Sequence, residues 1–339
     1  MGMRIVQWDG TDPAAIQECY NVLAAEHAAD DPVGPPLSLR RLQAWLEHPA
    51  DPMEVWLAQG SIAGSVDGWY RLRLPDKENR DRGGLGLSVH PAARRRGIGT
   101  ALLRHAAARA DACDRSILTS WAIQDSPGAA FASRVGATPG LLDARRVLTL
   151  ATIPPGRVAS LRAQAAQAAA GYSLVRWDGR TPDQYLTGFA EVLNAANDMP
   201  RDPGDEDEVW DADRVREYDD VREQRGRHVY SVAAVHDATG DMAALTDVEA
   251  DSETPAWGHQ LLTAVVRKHR GHRLGLLVKT AMLEWLEVTE PHLERIDTGN
   301  AAVNRHMIAI NEQLGYELLP PQVQSYELAV ADALTPANA

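Results

Sequence analysis

The chain has 339 residues, 45% of them hydrophobic, and a formal net charge of −13. At this length two domains are expected rather than one core, and the acidic balance argues against nucleic acid and for a cationic small molecule as partner. No apolar run reaches the roughly 18 to 20 residues of a membrane span, and MGMRIVQWDG lacks the apolar stretch of a secretory signal, so a cytoplasmic monomer or homodimer without membrane contact is expected.

The first strand-like run, MRIVQW, leads into an Asp9-Gly10 turn. Asp12-Pro13 then supplies an N-cap and a first helical residue, which predicts a helix over AAIQECYNVLAAEH. A second helix, SLRRLQAWLEH, follows a Ser cap, and MEVWLAQ, SIAGSVDGWYRLRL and GGLGLSV read as a meander of antiparallel strands. An arginine and glycine loop, RRRGIG, opens an amphipathic helix, and RVGA comes later. Cys19 and Cys113 lack CxxC or CxxH spacing, so they read as buried thiols rather than as zinc ligands or a disulfide.

After a Pro-Gly break and an Ala-rich helix ending at Gly171, the same order returns. YSLVRW leads into Asp178-Gly179 and Thr181-Pro182, a second predicted cap, and helices DQYLTGFAEVLNAAN and DADRVREYDDVREQ, the latter from an Asp cap at Asp211, follow. Strands HVYSVAAVH, DMAALTDVEA and AWGHQLLTAVV precede a second loop, RGHRLG, and a late QLGY. Order is kept while spacing drifts, which indicates duplication of a whole domain. The expected boundaries are 1–153 and 173–333, with a linker helix at 154–172, in an α/β (α+β) chain.

Each arginine and glycine loop joins a strand to a helix, where unpaired N–H groups and the helix dipole favour an anion and glycine admits a pyrophosphate closely. Neither is a GxxxxGK[ST] loop nor a complete Rossmann fingerprint. The stretch LSVHPAARRRGIGTALL resembles the acyl-CoA signature of the GCN5-related N-acetyltransferases (GNAT), carried by Val89, Pro91, Arg94, Gly97 and Gly99. The second copy keeps Val265, Arg270 and Gly275 but has Arg267 in place of Pro and Arg273 in place of the first Gly. The resemblance covers most of the chain as two tandem GNAT-like domains, each a mixed, mostly antiparallel sheet flanked by helices, an arrangement similar to mycothiol synthase.

That resemblance implies acetyl-CoA as cofactor and a small-molecule amine as acceptor, with a non-catalytic acyl-CoA-binding protein as the alternative. It places the pantetheine arm on Leu87, Ser88 and Val89 and on Thr263, Ala264 and Val265. The pyrophosphate is implied at Arg94, Arg95, Arg96, Gly97, Ile98, Gly99 and Thr100, and at Arg270, Gly271, His272, Arg273, Leu274 and Gly275. Asn300 or Asn304 is implied against the cofactor arm. The position six residues before the conserved Val, where the family often carries a base, is His259 in the second copy and Gly83 in the first. His259, with Glu249, Asp251 and Glu253 as fallbacks, therefore assigns catalysis to the second copy and leaves the first a binding domain. The tyrosine the family often uses to protonate the thiolate is Ala132 in one copy and Asn311 in the other. NDMPRDPGDEDEVWDAD reads either as a solvated loop or as a collector of a polycationic amine, with Trp210 and Trp257 as an apolar wall. His269 and His272, among basic neighbours, do not make a metal site.

Overall fold

The computed structural model describes residues 3–8, 12–60 and 65–335. The Asp9-Gly10 turn and the 61–64 part of the third predicted strand run lie outside them. In chain order the elements are β1 (Ile5–Gln7), α1 (Pro13–Asp30), α2 (Leu39–Glu47), β2 (Met53–Gln59), β3 (Val66–Arg73), β4 (Arg82–Val89), α3 (Ile98–Ala112), β5 (Ile117–Ile123), α4 (Pro127–Arg134) and β6 (Thr138–Thr149). There follow α5 (Arg157–Ala168), β7 (Tyr172–Asp178), α6 (Leu186–Ala195), α7 (Ala212–Gln224), β8 (His228–His236), β9 (Met242–Ala250), β10 (Trp257–Val265), α8 (Leu274–Thr289), β11 (Arg295–Ala301), α9 (Arg305–Leu314), β12 (Glu317–Leu318), β13 (Val323–Ala329) and α10 (Val330–Leu334).

Two compact units result, and their membership differs from the expected boundaries. The first comprises Met1–Asp143, Asp202–Glu206 and Pro320–Ala339, the second Ala144–Arg201 and Asp207–Leu319. The Ala-rich helix is no free linker: α5 buries Leu161 and Ala165 in the core that holds Leu274, Leu277 and Leu286 of α8. Arg162 on α5 pairs with Glu284 on α8 at 2.8 Å. The last strand returns to the first unit, where β13 pairs antiparallel with β5 along its whole length.

Within the first unit β1 to β4 form an antiparallel series, and β4 then runs parallel to β5. The second unit repeats this from β7 to β10, with β10 parallel to β11. Helix starts follow the caps read from the sequence at Asp12, Ser38 and Asp211, each accepting from a backbone N–H two or three residues on. Thr181-Pro182 departs from that reading. The Thr181 amide and hydroxyl both donate to Asp219, so this side chain serves α7, and α6 begins only at Leu186 after a short 3-10 turn. Cys19 is buried, and burial pushes its thiol up to about 12, whereas Cys113 is only half-buried.

Candidate active site

In the first unit β4 and β5 pair only from Arg82–Ile117 to Gly84–Thr119. Beyond Gly84 the strands part, because β5 continues against β13 while β4 keeps only β3. A cavity of about 390 Å³ opens in the gap, walled by Leu85, Leu87 and Val89 on one side and Ser120, Trp121 and Ala122 on the other. Leu103 of α3, Phe131 and Ala132 of α4, and Tyr326 to Leu328 of β13 complete it. Leu87 and Val89, the expected seat of the pantetheine arm, thus line the gap between the two strands. Ser88 points to the opposite face, as strand alternation requires, and its hydroxyl donates to Glu26.

Arg95, Gly97, Ile98, Gly99 and Thr100 also line the cavity, at its α3 end. Two left-handed residues shape this loop, Arg95 (φ 64°) and Gly97 (φ 84°). The second loop has the same two bends with the residue types exchanged, Gly271 (φ 90°) and Arg273 (φ 53°). Replacement of the usual glycine by Arg273 therefore keeps the loop, at the steric cost a Cβ meets in that region. At Gly99 a Cβ would meet the Phe131 ring at 3.6 Å, an ordinary contact. Arg94 lines the cavity but is largely spent inside the protein. Its Nε donates to the Val89 carbonyl at 3.2 Å and its Nη atoms clasp Asp30 at 3.1 and 2.7 Å. Arg270 repeats the first bond to Val265 and pairs with Asp198 at 2.7 Å, and Arg96 lies 3.6 Å from Asp67.

The second unit fills the corresponding gap. Gly136 and Gly315, both left-handed, align α4 with α9, so half-exposed Phe131, Ala132, Val135 and Ala137 correspond to Ile310, Asn311, Leu314 and Tyr316, all buried. Gly99 and Gly275 align α3 with α8, which sets Lys279 at the place of Leu103. Lys279 is 2% exposed; its Nζ donates to Gln260 Oε1 at 3.0 Å and lies 5.0 Å from the Tyr316 ring centre. Burial pulls its ammonium down to about 7 and pushes the Tyr316 phenol up. Thr263 is buried against Thr246 at 2.7 Å, Ala264 packs into a core, and Leu274 is buried. His272 stands outside beside Tyr172. Asn304 caps α9 at 3.2 Å, and Asn300 accepts from Asn311 at 2.7 Å, so both amides have structural partners.

His259 Nδ1 lies 2.5 Å from Asp297 Oδ1 on β11. Glu249, its neighbour across the sheet, is buried and pairs with Arg227 at 2.8 Å. The register shifts between Gln260 and Thr263, so in space the counterpart of His259 is Gly84 rather than Gly83. Both lack a side chain, so the contrast between copies stands.

Most carboxylates of the acidic loop are engaged within the protein. Asp202 accepts from the Leu141 amide, Asp205 pairs with Arg82 at 3.2 Å, and Glu206 accepts from the Asn79 amide. Asp207 pairs with Arg201, Glu208 accepts from the Trp210 indole, and Asp211 caps α7. Trp210 and Trp257 are faced by Arg214 and Arg295. Among the described residues no cluster could hold a metal ion, and no helix is long and apolar enough to cross a membrane.

Sequence reasoning missed Glu26, a carboxylate of α1 that lines the cavity. Burial raises it above the ordinary carboxylate range, against the lowering effects of Ser88 and Arg94. It also missed Leu103, which its spacing of one helical turn from Gly99 could have indicated.

The Acetyltransferase (GNAT) family model matches residues 16–135. Among solved structures, a tandem GNAT protein from the clavulanic acid biosynthesis pathway is similar at 31% identity, covering 99% of this chain and 100% of its own, with a TM-score of 0.80. A GCN5-related N-acetyltransferase from Sphaerobacter thermophilus shares the fold at 14% identity, over 97% of this chain and 96% of its own, with a TM-score of 0.65. No curated protein matches the chain.

Proposed function

The chain belongs to the acetyltransferase (GNAT) family, and from that premise we propose that it transfers an acetyl group from acetyl-CoA to a primary amine of a small molecule, with the first unit as the seat of the reaction. The observation that carries this reading is the cavity between the parted strands β4 and β5. Its chemistry fits the cofactor. Leu85, Leu87 and Val89 offer a strand edge that β5 leaves unpaired, suited to the amides of a pantetheine arm, and the amides opening α3 suit a diphosphate. Bound there, acetyl-CoA supplies an acyl group activated as a thioester.

The chain's own part is to exclude water with the leucines, hold the acceptor and take its proton. Glu26 suits the last task, because a carboxylate raised by burial is a better base toward an ammonium than an exposed one. Ala132 gives no phenol to protonate the departing sulfur, and a thiolate leaves readily without one. The expected preference for a polycation gains no support from the acidic loop, most of whose carboxylates have partners within the protein.

A second reading keeps the chemistry in the second unit, favoured by the approach of His259 to Asp297, which would orient the imidazole as a base. Thiol release from acetyl-CoA over an amine panel, with Glu26→Gln and His259→Ala, decides between them. Loss of about 100-fold in kcat on Glu26→Gln alone supports the first unit, and the converse supports the second. Binding of coenzyme A with no thiol release for any amine favours a regulatory acyl-CoA-binding protein.

A further inference from the structure

Arg71 of β3 stands in register opposite Gly86 of β4, and a Cβ at Gly86 would come within 2.3 Å of its Nη1. The guanidinium therefore lies across the strand where only glycine leaves room. Trp45 of α2 covers it, the ring centre 4.3 Å from Cζ. Burial is the main influence on this group and lowers it to about 10, which leaves it charged at neutral pH. Among the described residues no hydrogen-bond acceptor or carboxylate meets it; the charge that acts on it is Arg73, which repels it and has its own partner, Asp51, at 3.1 Å.

The second unit shows what this position requires. Arg73 faces Gly84 as Glu249 faces His259, so two residues earlier Arg71 corresponds to Asp247. Asp247 is wholly buried and fully provided for, with Arg222 at 2.9 Å and Ser231 at 2.7 Å. In the first unit the charge is reversed and the provision is missing. A partly desolvated guanidinium without an anion is costly to keep unless a ligand brings the anion.

Gly86 sits between Leu85 and Leu87, which wall the cavity, and by strand alternation it faces the same side as Ser88, the partner of Glu26. Arg71 and Glu26 thus flank one short stretch of β4. We propose that Arg71 is an anion subsite of the first unit and that the amine it selects also carries a carboxylate. This rests on the acetyl-transfer reading for the word amine, but not for the subsite. One planar fork against an indole suits a planar, singly charged carboxylate better than a phosphate dianion, which calls for further donors.

The test uses the full chain and matched probes: 4-aminobutanoate against butylamine, and glycylglycine against its methyl ester. The Arg71 Nε–Hε resonance, assigned by its loss in Arg71→Lys, is followed by NMR during each titration with and without coenzyme A. The expected result is a saturable shift with the carboxylates and none with their carboxylate-free partners. Thiol release from acetyl-CoA should favour the carboxylate members by at least about tenfold, and Arg71→Met should erase that ratio. Arg71→Lys, which keeps the charge, should retain part of it even should the Met variant fail to fold. No shift with any carboxylate, or an equal shift with inorganic phosphate and butylamine, overturns the subsite. A specific shift in a protein that binds no coenzyme A leaves the subsite standing and removes the acetyl-transfer reading instead.

Discussion

Leu103 and Lys279 hold the same place on equivalent helices, four residues after Gly99 and Gly275, yet Leu103 walls an open cavity while Lys279 lies buried under the Tyr316 ring. The duplicated units therefore differ in the room they leave for a cofactor arm. Calorimetry with coenzyme A should give a stoichiometry of one per chain. Leu103→Phe, which adds bulk without charge, should weaken that binding by about tenfold or more, since an overfilled slot must push its walls apart. Two equal sites per chain would contradict the difference.

Lys279 also has a consequence for stability. Its folded value of about 7 lies below that of an exposed lysine, so the unfolded chain binds more protons between the two. Stability then rises with pH from about 7 upward, and below that the full penalty of burying the charge applies. Urea unfolding of wild type and Lys279→Met at intervals from pH 6 to 9 should show the difference between them moving in favour of wild type as pH rises. A flat difference would mean that Lys279 titrates as it would in water.

The exchange of glycine and arginine between the two loops gives an asymmetric pair of variants. Gly97→Ala forces a Cβ into a left-handed conformation and should cost about 1 kcal/mol by thermal unfolding. Arg273→Gly removes the same strain but frees the unfolded chain, so the two effects offset and the change should stay within about 0.5 kcal/mol.

The features legible in the sequence were local ones. Caps at Asp12, Ser38 and Asp211, and the two loops after β4 and β10, follow from residues a few positions apart. Long-range partners left no such trace. Arg94 resembles a phosphate ligand in its motif, but Asp30, which clasps it, lies at the far end of α1. Counting six residues back from Val89 named Gly83, because an irregularity in β10 that shifts the register by one cannot be read from residue types. The filling of the second gap depends on Tyr316 and Asn311 arriving from α9 and the turn after it, each unremarkable alone.

The return of β13 to the first unit is the least legible feature, and it bears directly on the cavity. Arg82, nearly buried at the start of β4, pairs with Glu327 of β13 and with Asp205 at 3.2 Å, and its Nη2 donates to the Pro203 carbonyl at 3.2 Å. These contacts fix β13 beside β5 at the point where β4 and β5 still pair, so they set where the gap begins. Glu327→Gln leaves Asp205 and, at 3.9 Å, Asp81 as counter-charges and should cost about 1 to 3 kcal/mol; Arg82→Met, which strands all three acidic groups, should cost more. Because Tyr326, Glu327 and Leu328 also line the cavity, both variants should weaken coenzyme A binding in step with the loss of hydrogen-exchange protection in β5 and β13. Loss of protection in those strands with unchanged binding would show that the cavity does not depend on the chain's last strand.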